Sequence, residues 1–408
     1  MAAINRAHRR RRTASLDSRR QLDEAIRSPV RPIYLDYNAS APIAPEVVDA
    51  MRPFLEAHYG NPSSPHWAGT PARQAVENAR GQVAALLGCA PPEVIFTSGG
   101  TESNNHAIKG AFFALRHRGT HVITTQVEHP AVLQPCRFLE QLGAHITHLP
   151  VDRTGRVDPE DVRKAITPRT ILVSVMHANN EVGTLQPIAE IARITRGHGV
   201  LLHTDAAQSA GKIPTRVDEL GVDLLSMAGH KLYAPKGVGA LYLREGVTLE
   251  PLLHGAGHES GRRAGTENVL LDVALGAASE LAASELGSRP ARLTQLREYF
   301  HAGLQRLFGA GLHLNGHPTE RLPNTLSVSF AGHLGSDVLE ALEGVAASTG
   351  SACHSGQHRL SPVLQAMGVP ETIGLGAVRF SLGRGTTTEE LDRVLAQLES
   401  HVLGREGR

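Results

Sequence analysis

Two stretches of the chain, Gly199-Val-Leu-Leu-His-Thr-Asp-Ala-Ala-Gln208 and Val222-Asp-Leu-Leu-Ser-Met-Ala-Gly-His-Lys231, decide the fold. Each is a short apolar run that stops abruptly in polar residues, the pattern of a buried strand whose carboxyl end opens onto a ligand site in an α/β sheet. Asp205 closes the first run and Lys231 stands just past the second. A carboxylate at such an end must be paired, solvated or facing a cation. A partly desolvated lysine opposite an acid is a candidate Schiff-base amine, whereas a lone surface lysine keeps its head in water.

Working outward, similar runs stand at 93–96 (EVIF), 121–125 (HVITT), 170–176 (TILVSVM) and 238–243 (VGALYL), separated by helix-length segments. That alternation predicts βαβ units and a mostly parallel sheet. Ala72, Ala75, Val76, Ala79, Val83, Leu86 and Leu87 recur at three- and four-residue spacing before Gly88, which predicts an amphipathic helix and its stop. After about residue 286 the rhythm changes: a polar helix near 290–308, a strand at 324–330, a helix at 336–344, a strand at 377–382 and a closing helix from Thr388. We read these as a second, smaller α/β domain. The expected division is a leader over 1–30, a large domain over 46–286, and a small domain formed by 31–45 together with 287–408.

Thr97-Ser98-Gly99-Gly100-Thr101-Glu102 joins a predicted strand to a predicted helix. Converging backbone N–H groups at a helix start favour an anion, most naturally phosphate, although an ordinary tight turn reads the same locally. The segment is neither a Walker A loop nor G-x-G-x-x-G, so nucleotide hydrolysis and a dinucleotide fold lose support.

The chain has 408 residues, long enough for a large core. Its 41 basic and 40 acidic residues leave no general field for nucleic acid. The positive charge is concentrated in residues 1–20, with seven arginines against Asp17, in a composition shared by transit peptides and disordered tails. We expect no membrane span, and a soluble, cytoplasmic protein. The three cysteines make no C-x-x-C pair and no disulfide framework. Cys89 and Cys136 sit in apolar surroundings and read as small core hydrophobes, whereas Cys353, in STGSACHSGQ, reads as an exposed thiol and candidate nucleophile. The 22 histidines, with His129, His203, His230 and Asp205 near strand ends, prompt a metal-hydrolase alternative, but no H-E-x-x-H or comparable spacing supports a metal site.

A phosphate cradle, an acid and an amine at strand ends are what pyridoxal 5'-phosphate requires: an anion anchor, a partner for the ring nitrogen and an amine for the aldehyde. From Ile33 to the C-terminal helix the chain resembles the class V aminotransferases, and within them the group I cysteine desulfurases. The matching segments include YLDYNASAP (34–42), GNPSSPH (60–66), FTSGGTESNN (96–105), EHPAV (128–132), ANNEVGT (178–184), HTDAAQ (203–208), GHKLYAPKGVGALY (229–242), GRRAGTENV (261–269), LPNTLSVSF (322–330), STGSACHSG (348–356) and VRFSLGR (378–384).

The resemblance implies fold type I of the pyridoxal-phosphate transferases, α/β, with a mostly parallel seven-stranded sheet in the large domain plus a smaller α/β domain. It implies that Lys231 holds the coenzyme and shuttles the substrate's α-proton, that Asp205 faces the ring nitrogen, and that His129 stacks on the ring and assists acid–base steps as a catalytic residue. It further implies Asn179 and Gln208 at the ring hydroxyl, and Gly100, Thr101 and His230 at the phosphate. Thr266 would reach the phosphate of a neighbouring subunit in a homodimer. Arg379, with Asn38 as a weaker candidate, would bind the substrate. Cys353 would take sulfur from L-cysteine as a persulfide, leave L-alanine, and pass the sulfur to an acceptor or iron–sulfur scaffold protein. Selenocysteine lyase is the alternative, since ACHSGQHRLSPVL (352–364) is similar to the loop of that group. Two departures stand out. Ala228 replaces the usual serine, and Gly255-Ala256-Gly257-His258-Glu259 replaces a Gly-Gly-Gly-Gln-Glu stretch, which leaves the shape of that segment open.

Overall fold

A computed structural model describes residues 32–349 and 359–402. The Arg-rich leader and Cys353 lie outside the described residues. The chain enters on a short strand, β1 (Ile33–Tyr34), and then builds a seven-stranded sheet from β2 (Val94–Thr97), β3 (His121–Thr125), β4 (His145–Leu149), β5 (Thr170–Ser174), β6 (Leu201–Asp205), β7 (Leu224–Ala228) and β8 (Gly239–Leu243). The order is β2-β8-β7-β6-β5-β3-β4, with β8 antiparallel to both neighbours and the other pairs parallel.

The strands read as unbroken apolar runs because both faces are covered. Val94 and Phe96 pack into one cluster, with helices α1 (Gly69–Leu87) and α4 (Val269–Glu285), while Ile95 packs into another, with α2 (Gly100–Leu115) and α3 (Pro130–Glu140). Six of the seven strands are the runs read from the sequence. The seventh, β4, is an edge strand with partly exposed polar residues, so no apolar run marks it.

Helix α1 ends at Gly88 in the left-handed conformation, as its sequence predicts. Gly99 requires glycine for a separate reason. Its φ of 144° turns the chain from β2 into α2, and an ideal Cβ on neighbouring Gly239 would lie 2.7 Å from the Gly99 Cα, so two backbones touch behind this turn.

The second sheet runs β12 (Ser348–Thr349), β13 (Ala377–Ser381), β10 (Thr325–Phe330), β9 (Leu312–Asn315), all antiparallel, and β1 pairs in parallel with β11 (Val345–Ala346). Helices α5 (Arg289–Phe308) and α7 (Thr388–His401) cover it, with α6 (Pro362–Ala366) between β12 and β13 in the chain. Thr387 and Glu390 form a capping box that fixes the start of α7. Phe300 meets Phe380 edge-on at 5.1 Å between centroids, and each of these buried rings contributes about 2 kcal/mol. The helix expected over 336–344 is shorter, Gly335–Glu340, because the chain turns at Gly344 and continues as β11. Ile33 and Leu35 pack in this second core, whereas Ala44 and Val47 pack in the first, so the chain crosses from one core to the other around Asn38.

Candidate active site

Because β6 and β7 are parallel neighbours, their carboxyl ends bring Asp205 and Lys231 to the same rim. A cavity of about 370 Å³ opens there, and Asn38, Gly100, Thr101, His129, Asp205, Gln208, Ala228, His230, Lys231 and Arg379 all line it. That volume suits a small cofactor together with a small substrate.

At one wall stands the N-terminus of α2. Its N-cap, Gly99, offers no side-chain acceptor, so the first amides of Gly100 and Thr101 are left for a ligand. Asp205 is buried, accepting from Asn104 Nδ2 at 2.7 Å and from the Ala207 amide at 2.9 Å. The side-chain oxygen of Asn104, Oδ1, is buried without a partner among the described residues.

Burial lowers Lys231 from the ordinary lysine value to about 8, with Arg379 adding to the fall and Asp205 opposing it. An appreciable fraction of the amine is therefore unprotonated near neutral pH. His230 beside it is pushed down to about 4, by burial first and then by Lys231 and two other lysines, so its ring is neutral.

His129 N-caps α3, its Nδ1 accepting from the Ala131 amide at 3.0 Å. That bond fixes the tautomer and leaves Nε2–H as the free donor. Burial lowers its pKa, Lys231 reinforces the shift, and Asp205 opposes it. The preceding residue, Glu128, is 4 % exposed and is pushed up to about 8 by burial, although it accepts from Thr125 Oγ1 and the Met176 amide. An unfolded Glu releases its proton near 4.5 while the folded one holds it to about 8, so this group makes stability fall as pH rises between those values. We expect Glu128→Gln to remove that slope. In denaturant melts, its stability advantage over wild type should grow from pH 5 to pH 8, on the order of a few kcal/mol.

Arg379 on β13 reaches the cavity from the second sheet. Its Nη1 donates to the Asn180 carbonyl at 2.9 Å and its Nη2 to Asp36 Oδ1 at 2.8 Å, while its buried Nε has no partner. Asp36 Oδ1 also accepts from Ser348 Oγ at 2.9 Å. The guanidinium is thus braced on two sides at the wall of the cavity, a fixed cation of the kind that orients a carboxylate.

Asn179 requires correction. It is fully buried, and its side chain is consumed by structure: Nδ2 donates to the Val127 carbonyl, and Oδ1 accepts from the Glu181 and Val182 amides. Its neighbour Asn180 lines the cavity instead. Thr266 is exposed and lies outside this cavity, beside a separate cleft behind the Thr97–Gly99 turn. Among the histidines that prompted a metal site, His203 has both ring nitrogens engaged, by Ser174 and Ser226, and is no ligand.

The altered segment before Thr266 has a defined anchor. Glu259 is buried and accepts from Arg80 at 2.7 and 2.8 Å and from the Phe96 amide at 2.9 Å, and His258 Nδ1 meets Glu267 at 2.9 Å. Glu259 and Ser260 both have positive φ, a strain of about 1–3 kcal/mol each that the buried ion pair holds in place.

The donor set fits pyridoxal phosphate: free helix amides for phosphate, a buried carboxylate for the ring nitrogen, an amine of lowered pKa and a braced guanidinium. Ala228 faces Gly100 closely, its Cβ 3.2 Å from where a Gly100 Cβ would stand, and it supplies no hydroxyl to an anion there. We expect Ala228→Ser to tighten equilibrium coenzyme binding about fivefold, roughly 1 kcal/mol, as read by absorbance titration of the apoprotein.

Sequence reasoning missed Asn104, Asp36, Asn180, Glu128 and Lys212. Asn104 left a trace as a polar residue on the buried face of α2, and Lys212 as one of only five lysines. The others carry no local signal.

The Aminotransferase class-V family model matches residues 33–394. The chain belongs to that family of pyridoxal-phosphate enzymes, and within it to the group I cysteine desulfurases. It is 52 % identical over 371 residues to the cysteine desulfurase IscS of Dictyoglomus turgidum, covering 90 % of this chain and 94 % of that protein. It is 46 % identical over 376 residues to the human cysteine desulfurase, covering 91 % and 82 %. Among solved structures, a NifS-like protein superposes with a TM-score of 0.86 at 40 % identity, covering 92 % of this chain and all of that one.

Proposed function

We propose that the protein converts L-cysteine to L-alanine and transfers the sulfur to Cys353. The observation that carries this is the convergence, in one cavity, of the α2 amino terminus, Asp205, Lys231 and the braced guanidinium of Arg379. Bound pyridoxal phosphate supplies an aldehyde for amines and an electron sink. The remaining work falls to the chain. Gly100, Thr101 and neutral His230 hold the phosphate. Asp205, kept in place by Asn104, faces the ring nitrogen, and His129 lies against the ring with Nε2–H as its donor. Asn180 and Gln208 address the ring hydroxyl.

Arg379, braced by Asp36, orients the substrate carboxylate. Lys231 moves the α-proton, a role suited to an amine whose pKa is about 8. Cys353 accepts the sulfur as a persulfide, which breaks the carbon–sulfur bond and leaves alanine. An acceptor or iron–sulfur scaffold protein then takes the sulfur.

No helix among the described residues is long and apolar enough to cross a membrane, and we place the protein in the cytoplasm. We take the working unit to be a homodimer. Two features favour it: Thr266 is exposed away from its own cavity, and three large side chains close in sequence, Leu55, Tyr59 and Trp67, are exposed.

Selenocysteine lyase remains the second reading on the strength of the loop sequence. Supplying L-cysteine and L-selenocysteine separately and quantifying alanine discriminates them. Alanine from cysteine supports the desulfurase, whereas alanine from selenocysteine alone, with cysteine untouched, overturns it.

A further inference from the structure

Lys212 lies beyond the end of β6, with its Nζ turned inward. It donates to Gln208 Oε1 at 2.9 Å and to Asn38 Oδ1 at 3.0 Å. Among the described residues no carboxylate pairs with it. The charged groups that face it are Lys231, Arg379 and Arg289, all cations, and with burial they press its pKa well down. The cavity beyond holds Asp205, His129 and His230. A buried amine in cationic company, with no acid to answer it, is costly to the fold alone. Such a cost is expected where an anionic group of a ligand completes the site.

Lys212 and two backbone carbonyls, of Asn38 and Asn180, together fix the polarity of both amides it touches. Nζ donates to both carboxamide oxygens, and in its charged form, which an adjacent bound anion favours, it can only donate. The Gln208 nitrogen then donates to the Asn38 carbonyl at 2.9 Å, and the Asn38 nitrogen to Thr325 Oγ1 at 2.8 Å and the Asn180 carbonyl at 3.3 Å. One N–H of Gln208 remains, on a side chain that lines the cavity. Asn38 also accepts from Asn324, so the same lysine ties the crossing segment of the chain to β6.

We propose that Lys212 is a positioning residue for the coenzyme ring: with the Asn38 carbonyl it holds the Gln208 carboxamide so that Gln208 presents an N–H, not an oxygen, to the ring's anionic oxygen, and, charged once that anion is bound, it places a cation behind that contact. This rests on Gln208 addressing the ring, and the test separates the two. Lys212→Met, Lys212→Arg, Gln208→Leu and the Lys212→Met/Gln208→Leu double variant are compared by apoprotein melting, equilibrium coenzyme affinity and the pH midpoint of the bound coenzyme's absorption change.

Lys212→Met should leave the apoprotein folded and at least as stable as wild type, since an unpaired buried amine is removed. Coenzyme binding should weaken about tenfold, and the midpoint should rise, because loss of a nearby cation favours protonation. Lys212→Arg should restore the midpoint in part, and the double variant should be no worse than Gln208→Leu. Wild-type affinity and midpoint in Lys212→Met, alongside altered values in Gln208→Leu, would overturn the inference while leaving the role of Gln208 standing. No change in Gln208→Leu would overturn the reading beneath it. A Lys212→Met chain that does not fold would also overturn the inference, since it would make the lysine structural.

Discussion

Lys231→Ala should reduce alanine formation from L-cysteine by roughly ten-thousandfold or more, because it removes both the amine that holds the coenzyme and the group that moves the α-proton. The geometry leaves no substitute at that place. Among the described residues no other lysine lines the cavity, and Lys212, which interacts with Lys231, has its Nζ committed to Asn38 and Gln208. His230 is neutral and turned toward Ser40.

The pH dependence carries its own signature. Burial has brought Lys231 down to about 8, and only the unprotonated amine condenses with an aldehyde. The rate at which apoprotein captures the coenzyme should therefore rise with pH and level off above about 8. A free lysine would still be gaining reactivity two units higher. Stopped-flow absorbance across pH 6–10 measures this, with phosphate-free pyridoxal as a control for the helix-bound anion.

Cys353→Ala should retain coenzyme with wild-type affinity and lose alanine formation, by at least about a hundredfold in the absence of added thiol. The expectation depends on whether another thiol could substitute. Cys136 is fully buried in the cluster beneath α3, and Cys89 is partly buried at the end of α1. Burial pushes both thiols up to about 12, so neither offers a thiolate at neutral pH. Added small thiols should partly rescue Cys353→Ala. Full turnover without them would exclude Cys353 as the sulfur acceptor. Paired measurement of alanine and bound sulfur distinguishes loss of transfer from loss of binding.

The architecture was legible where burial imposed a pattern. Strands covered on both faces must be apolar throughout, so six strands of the large sheet announced themselves, and the positions of Asp205 and Lys231 followed from where those runs end. Edge strand β4 did not, because one side of it meets water and its histidines and threonine dilute the signal. The limits at the site have two sources. One is orientation: Asn179 and Asn180 are adjacent and chemically identical, and only the turn around them, where Asn179 caps the Glu181 and Val182 amides, decides which one faces the cavity.

The other source is sequence distance. Asp36 braces Arg379, Asn38 meets Lys212, and Ser361 donates to Glu181. No local rule relates residues so far apart: the first two pairings follow from the chain crossing between two cores near Asn38, and the third from α6 packing against Val182. His129 shows the opposite case. The cap of α3 and the ligand-facing ring are one side chain, and the helix bond is what selects the tautomer presented to the cavity.

The measurement that bears most directly on the site is borohydride reduction of the coenzyme-loaded protein, followed by peptide mapping by mass spectrometry. Lys231 should carry one reduced coenzyme per chain, and the signal should vanish in Lys231→Ala. Attachment at Lys212 or at any other lysine, or no attachment to a protein that has bound the coenzyme, would contradict the assignment.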